Sequence, residues 1–234
     1  MRPVERGAWP QTRDGSNVEF SHYRDARNEL ATRLGFYCSY CEMPKQEAID
    51  VEHMAPKARA PHLERDWHNF LLACTACNSR KSDNPDPSRL DSYLWPDRDN
   101  TFAAIVWHDG FSATVSDKVS GAVAAKAAMT IQLTRLNATE PLRPKLKDLR
   151  RYHRMQAHSK ALLNKVLLEN EPHSSGLRTS IAMTAVATGY FSVWMHVFAD
   201  DPDMRRRFID AFPGTARDCF DTSGNPVNRP GGRI

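Results

Sequence analysis

Four of the five cysteines in this chain fall into two CxxC pairs, Cys38 with Cys41 and Cys74 with Cys77. A CxxC turn can place two thiolates on one tetrahedral ion, and two such turns leave no coordination position open, so the spacing predicts a structural zinc site. Four buried free cysteines are the alternative. Paired thiols also favour a metal site in a reducing compartment over a disulfide framework. The remaining cysteine, Cys219, is far away in sequence and is expected in the core.

An acid, a histidine and an asparagine lie between and beside these pairs: Glu52, His53 and Asn78. Histidine, with an unperturbed pKa of about 6.5, can remove a proton from water at neutral pH. A Mg²⁺ ion neutralises charge on phosphoryl oxygens and on a departing 3′-oxygen. Because it keeps several waters, one carboxylate and one amide carbonyl are enough protein ligands. The three residues therefore predict metal-dependent hydrolysis of phosphodiesters, in which His53 activates water and the products carry 5′-phosphate.

A strand, a loop, a second strand and a helix must bring these residues together. The segment 48–53 is predicted to be the first strand and 70–73 the second, with a helix beginning in 76–82. Neighbours on a strand point to opposite faces. Glu52 and His53 can therefore approach one phosphate together only if the strand ends or twists at this point.

The segment that holds these residues resembles the HNH endonuclease superfamily and its ββα-metal fold. Residues 51–56, Asn69 and 77–83 are similar to the HNH domain of RNA-guided CRISPR nucleases, and the two CxxC pairs resemble those of McrA-type restriction enzymes. The resemblance implies that His53 is the general base and that Asn69 braces the loop that orients it. It also implies that Asn78 is a metal ligand.

The acidic metal ligand of the family is matched by Glu52, at a position where the family often has Asp. Direct binding by the longer Glu side chain and binding through water are both open. The resemblance implies Mg²⁺ as the catalytic metal, with Mn²⁺ as a substitute, and nucleic acid as the substrate. The family favours DNA. An RNA-cleaving nuclease stays an alternative, because the catalytic module contacts a phosphodiester and not a sugar.

Over its whole length, the chain is similar to the HNH subunits of Septu-type and retron-linked antiphage systems. The similarity lies in residues 1–4, in the segment 93–101 and in the helical second half. It implies an effector nuclease of a bacterial antiphage or restriction-type system, working beside an ATPase subunit. The rival interpretation is a non-catalytic zinc module that binds nucleic acid or protein, but it gives the acid, the histidine and the asparagines no role.

We expect an α+β fold in three parts. An N-terminal arm and helix occupy 1–35, the zinc-pinned ββα-metal module with a following hairpin occupies 36–116, and a mostly α-helical region occupies 117–234. The hairpin is indicated by apolar runs on both sides of a turn at 108–110. The Pro/Gly-rich tail, 225–234, is expected to be loosely ordered.

Charge is distributed unevenly along the chain. Residues 1–100 hold 14 Lys/Arg and 16 Asp/Glu, a net of −2, whereas residues 101–234 hold 18 and 12, a net of +6. A zinc ion with four thiolates would add about −2 to the first half. Since that half carries the chemistry, the basic second half is expected to help hold a polyanion. The predicted nucleic-acid contacts, each with a solvated charged face as its alternative, are Lys57, Arg80, Lys81, Arg150, Arg151 and Arg154.

The stretch 180–199 carries no formal charge and is long enough to span a membrane. It contains hydroxyl groups and a histidine, and two aspartates follow directly, so we expect one helix buried in a bundle or at a contact between subunits. The N-terminal residues lack the apolar run typical of a signal peptide. The predicted location is therefore the cytoplasm, without a membrane contact.

Overall fold

The computed structural model describes residues 1–45, 47, 49–108, 112–142 and 147–234. The helices are α1 (Arg27–Leu34), α2 (Thr75–Lys81), α3 (Thr101–Ala104), α4 (Gly121–Leu133), α5 (Arg150–Asn170), α6 (Ser175–Thr188), α7 (Phe191–Val197) and α8 (Pro202–Ala211). The strands are β1 (Ile49–His53), β2 (Phe70–Cys74), β3 (Ile105–His108) and β4 (Ser112–Val115). This mixture of helices and small antiparallel sheets confirms the predicted α+β class.

The first sheet pairs β1 with β2, from Ile49 opposite Cys74 to His53 opposite Phe70. All five residues of β2 are buried, which explains its continuous apolar sequence. Helix α2 follows at once, because the thiol of Cys74 accepts a hydrogen bond from the backbone N–H of Cys77 at 3.5 Å and so satisfies a free amide of the first turn. The predicted order of strand, loop, strand and helix is confirmed.

The second sheet is the hairpin predicted around 108–110. It pairs β3 with β4, from Ile105 opposite Val115 to His108 opposite Ser112. The tip, 109–111, lies outside the described residues. Helix α4 packs against β4, so the hairpin connects the module to the first helix of the region 117–234.

Two clusters of buried side chains form the core, and both cross the boundaries predicted between the three parts. The first contains Leu30, Trp67 and Trp107 together with Tyr190 from the helical region. The second gathers α6, α7 and α8 around Tyr37 of the module. Side chains from all three parts therefore meet in the first cluster, and the second joins the module to the helical region.

The C-terminal tail is packed against the rest of the chain, so the expectation of loose order was wrong. Arg229 is buried, and its guanidinium donates to the backbone oxygens of Val4 and Pro96, both at 3.1 Å. The side chain of Asn100 donates to the backbone oxygen of Val227 at 2.7 Å. The expectation rested on the Pro and Gly content of the tail alone. Hydrogen bonds to distant segments, which composition does not reveal, order this tail.

The uncharged stretch 180–199 forms two helices, α6 and α7, and not the single helix that we expected. Gly189 and Tyr190 separate them with φ angles of 74° and 60°. A Cβ on Gly189 would lie 2.6 Å from Cδ of Pro44 and 2.9 Å from the carbonyl oxygen of Glu42, so this close approach requires glycine. Within the described part of the chain, no helix is both long enough and apolar enough to cross a membrane.

The buried face of α7 can be tested with a single charge. Val197 is 7% exposed in the second core cluster, so we expect Val197→Asp to lower the free energy of unfolding by about 3–5 kcal/mol, because it places a carboxylate in an apolar cluster. Met183→Asp is the control, since Met183 on α6 is 68% exposed and such changes stay within about 0.5 kcal/mol. Urea unfolding measures both. A Val197→Asp curve that overlays the parent would show that this face is not in the core.

Candidate active site and metal sites

The four thiols predicted to bind zinc converge in the interior. Their sulfur atoms all lie within 4.8 Å of one another, and Sγ of Cys41 is 3.6 Å from Sγ of Cys74. A tetrahedron with zinc–sulfur bonds of about 2.3 Å has edges of about 3.8 Å. Four buried soft donors at these separations fit a tetrahedral zinc ion, with Cys38 and Cys77 completing the set.

His53 is the last residue of β1, at the point where the paired strands end. Its Nε2 lies 2.9 Å from the backbone oxygen of Glu64. Because a carbonyl oxygen only accepts, we assign the proton to Nε2, which leaves the lone pair of Nδ1 to act as a base. Burial lowers the pKa of His53, although the bond to Glu64 opposes this shift. The ring is therefore neutral at neutral pH.

Two aromatic rings hold the imidazole of His53 in place. Tyr23 and Phe70 meet it edge-on, with centroid distances of 4.8 and 5.3 Å. Tyr23 lies in the short turn before α1, and Nζ of Lys57 is 4.4 Å from the centroid of its ring. Tyr23 was not among the predicted site residues, because no local signal in the sequence identifies it as a neighbour of His53.

Asn69 braces the loop that follows His53. Its Oδ1 accepts from the backbone N–H of Ala55 at 2.7 Å, and its Nδ2 donates to the backbone oxygens of Ala55 at 2.9 Å and Leu63 at 3.2 Å. Glu64 directly follows Leu63 in sequence. The side-chain amide of Asn69 therefore also fixes the backbone carbonyl of Glu64, which holds His53. The contacts agree with the bracing role that the resemblance implied for Asn69.

Glu52 lies in a buried ion pair on the other side of β1. Its Oε1 is 2.7 Å from Nζ of Lys81, and its Oε2 accepts from the hydroxyl of Tyr40 at 2.5 Å. Nζ of Lys81 also donates to the backbone oxygen of His53 at 2.7 Å. Burial raises the pKa of Glu52, and Lys81 opposes this rise. A metal bound by Glu52 would therefore share the carboxylate with the ammonium group.

Asp50 and Asn78 form a second pair between β1 and α2. Nδ2 of Asn78 lies 3.5 Å from Oδ2 of Asp50. Strand alternation places Asp50 on the same face as Glu52, and one helical turn places Asn78 beside Lys81. Both members of the pair line a cleft of about 630 Å³ whose other wall is formed by residues 23–28. Asp50 was not among the predicted site residues, although its spacing of two residues from Glu52 was a usable signal.

Burial corrects three of the predicted nucleic-acid contacts. Lys81, Arg150 and Arg154 are 1%, 1% and 0% exposed, so protein encloses their cationic groups. Nη1 of Arg150 donates to Sγ of Cys77 at 3.2 Å, and the guanidinium of Arg154 lies 4.2 Å from the ring centroid of Trp107. A charge pattern along a helix cannot separate cations that face solvent from cations that face a buried anion.

The other three predicted contacts lie at or near the surface. Nη1 and Nη2 of Arg80 donate to Oε1 and to the backbone oxygen of Glu140 at 3.1 and 2.7 Å, so existing bonds hold this guanidinium. Lys57 and Arg151 are exposed. Nζ of Lys57 lies 3.2 Å from Oε1 of Glu64. Phosphate contacts by Lys57 and Arg151 stay predictions.

Comparisons with known proteins agree with this geometry. The HNH endonuclease family model matches residues 38–84, which hold the four thiols, the acid, the histidine and the asparagines. Septu protein PtuB from Bacillus thuringiensis is 40% identical to this chain over 47 residues. The shared segment is 19% of this chain and 18% of that relative, so the chain spans less than a fifth of the relative's length. Residues 38–84 are thus an HNH endonuclease domain, a member of a family of phosphodiester hydrolases.

Proposed function

We propose that this chain is a metal-dependent endonuclease that hydrolyses phosphodiester bonds of nucleic acid. The observation that carries the proposal is the orientation of His53 inside the HNH domain, with Nε2 bonded to Glu64 at 2.9 Å and Nδ1 left as the basic nitrogen. In a non-catalytic zinc module that only binds nucleic acid or protein, a neutral histidine held in this way would have no function. The rival interpretation therefore explains less of the site.

In the proposed reaction, His53 accepts a proton from water at Nδ1, and the Glu64 carbonyl keeps the ring in the required tautomer. The resulting hydroxide attacks phosphorus opposite the 3′-oxygen, and the P–O3′ bond breaks. The 3′-oxygen takes a proton from solvent and leaves as a hydroxyl, Nδ1 returns its proton to solvent, and the products carry 5′-phosphate. Asn69 positions the loop of Glu64 and does not touch the reacting atoms. The rings of Tyr23 and Phe70 prevent the imidazole from rotating away.

We infer that Glu52 and Asn78 hold Mg²⁺, with Asp50 as a third oxygen donor on the same face. The donors are hard oxygens, and Asp50 and Asn78 already approach each other at the cleft. When bound, the ion would stabilise charge on the phosphoryl and leaving oxygens, and Mn²⁺ is expected to replace it. Lys81 supplies a fixed positive charge beside the carboxylate of Glu52.

The Septu relative supports a role in antiphage defence. We extend this to an effector nuclease that favours DNA and works beside an ATPase subunit. Helix α5 exposes a face of large aliphatic side chains, of the kind that subunit contacts cover: Leu162, Leu163, Val166 and Leu167. This face supports an assembled protein, and copurification of the chain with the product of a neighbouring ATPase gene tests the partner.

A cleavage assay separates the proposed function from its alternatives. We expect the zinc-loaded chain to nick or cut plasmid DNA when Mg²⁺ is added and to be inactive in buffer without Mg²⁺ or Mn²⁺. Linear and folded RNA are tested beside plasmid. Faster cleavage of RNA would select the RNA-cleaving alternative. Binding of either nucleic acid without cleavage at any Mg²⁺ or Mn²⁺ concentration would select the non-catalytic module.

The metal ligands can be tested by Mg²⁺ titration. We expect Asn78→Ala and Glu52→Gln each to raise the Mg²⁺ concentration for half-maximal cleavage by about tenfold or more, since even residues behind a metal ligand contribute 10–100-fold to affinity. Asp50→Asn tests the third donor, because Asp50 is exposed and the change leaves the core intact. Titrations that overlay the parent curve would remove a residue from the set. Melting temperatures are recorded too, because Glu52→Gln leaves Lys81 as an unpaired buried charge.

The exposed cations can be tested by salt dependence of binding. If Lys57 and Arg151 contact phosphates, Lys57→Ala and Arg151→Ala should each reduce the slope of log K against log salt on duplex DNA by about 0.9. Lys118→Ala, an exposed lysine outside the predicted set, serves as the control. An unchanged slope in both variants would show that these residues form a solvated charged face and do not contact phosphates.

A further inference from the structure

The zinc site has a cationic neighbour that comes from outside the HNH domain. Arg150, the first residue of α5, is 1% exposed and lies 73 positions from Cys77 in sequence. Its Nη1 donates to Sγ of Cys77 at 3.2 Å. A guanidinium N–H aimed at a thiolate withdraws charge from the sulfur and neutralises part of the metal centre.

Further hydrogen bonds fix Arg150 in this orientation. Nη1 also donates to the backbone oxygen of Thr134 at 2.9 Å, and Nη2 donates to that of Arg135 at 2.8 Å. The carboxylate of Asp148 accepts from Nε at 3.0 Å and from Nη2 at 2.7 Å. Nη2 of Arg80, on α2, lies 3.7 Å from the same carboxylate. The guanidinium is therefore built into the wall of the zinc site.

The charges beside the thiol cluster favour an anionic metal centre. Buried Arg150 and Arg154 contribute +2 and Asp148 contributes −1, a sum of +1, while the guanidinium of Arg80 is paired with the carboxylate of Glu140 at 3.1 Å. Zn²⁺ with four thiolates contributes −2. On the far side of Cys41, Glu42 is already satisfied by Ser192, at 2.8 Å to its N–H and 2.6 Å to its hydroxyl, and by the amine of Met1 at 3.6 Å. An anionic zinc–thiolate centre therefore adds negative charge beside two buried arginines, which lowers the cost of keeping these cations in the interior.

We propose that Arg150 completes the zinc centre as a hydrogen-bond donor to the thiolate of Cys77, and that this contact joins α5 to the HNH domain through the metal. The proposal rests on zinc occupancy, which is part of the proposed function. Asn78 follows Cys77 on α2, so Arg150 is also a positioning residue for the proposed Mg²⁺ ligand.

The test compares zinc retention in Arg150→Gln with that in Arg151→Gln, the neighbouring arginine on the exposed side of α5. Zinc-loaded full chains are titrated with a chromogenic chelator. We expect Arg150→Gln to hold zinc about 10–100-fold more weakly and Arg151→Gln to match the parent. Equal retention in folded Arg150→Gln and parent protein would overturn the proposal.

Cobalt substitution distinguishes a bond to sulfur from general support of the fold. Losing the N–H···S bond makes the thiolate more electron-rich, so the thiolate-to-Co²⁺ charge-transfer band of Arg150→Gln should move to lower energy, and that of Arg151→Gln should not. Arg150→Lys keeps the charge with a different donor geometry and serves if Arg150→Gln does not fold. Its band should also move, and a band identical to the parent would overturn the proposal. Neither measurement uses cleavage, so an inactive chain would contradict the proposed function and leave this inference standing.

Discussion

Replacing His53 by alanine is expected to lower the rate of phosphodiester cleavage by about 10²–10⁴-fold, the usual contribution of a general base. In the proposed mechanism the imidazole removes the proton from water, and its Nε2 is already bonded to the carbonyl of Glu64. The change removes the base but leaves the thiol cluster and the contacts of Asn69 untouched. Nucleic-acid binding should therefore persist while turnover is lost.

Three controls make the His53 experiment decisive. His173→Ala, an exposed histidine beyond the end of α5, should cleave like the parent. Zinc content and melting temperature of His53→Ala should show a folded, metal-loaded protein. Added imidazole should restore part of the activity, because a small base can enter the space between Tyr23 and Phe70. Undiminished cleavage by the loaded variant would exclude His53 from the mechanism.

The parts of the site that could be predicted from sequence are those whose geometry is local. A CxxC turn carries its own ligand spacing, so two such pairs predicted the convergence of four thiols, which the structure confirms. Period-two and apolar patterns likewise predicted β1, β2 and α2 in the right order. The position of His53 at a strand end followed from the same pattern.

The parts that could not be predicted depend on contacts between distant segments. Tyr23 reaches His53 only because the turn before α1 packs over the end of β1. Arg150, Arg151 and Arg154 of α5 were predicted to contact a polyanion. However, Arg150 and Arg154 point into the protein, where Asp148 pairs with Arg150 and the ring of Trp107 packs against Arg154. Linear sequence gives the charge of such a helix but not the partner of each charge. The break between α6 and α7 at Gly189 has the same origin, because the backbone there packs closely against the loop that contains Glu42.

Loss of zinc is expected to have the largest effect on the fold. Cys38→Ser or Cys74→Ser should unfold the HNH domain, because each removes one of four ligands that converge from two distant turns. Structural zinc contributes an apparent binding free energy of about 10–16 kcal/mol in small zinc domains, and that energy is folding energy. Hydrogen exchange should rise sharply across β1, β2 and α2 in these variants. The zinc content measured by elemental analysis should fall below about one ion per chain.

Cys219→Ser provides the matched control for the zinc experiment. Cys219 is fully buried but belongs to the second core cluster and not to the thiol cluster. Its replacement should reduce stability by only about 1–3 kcal/mol, the cost of burying a hydroxyl in place of a thiol, and zinc content should stay at the parent level. A folded Cys38→Ser protein without zinc would show that the thiols are merely buried. Equal loss of zinc in Cys219→Ser would show that metal content reports general instability.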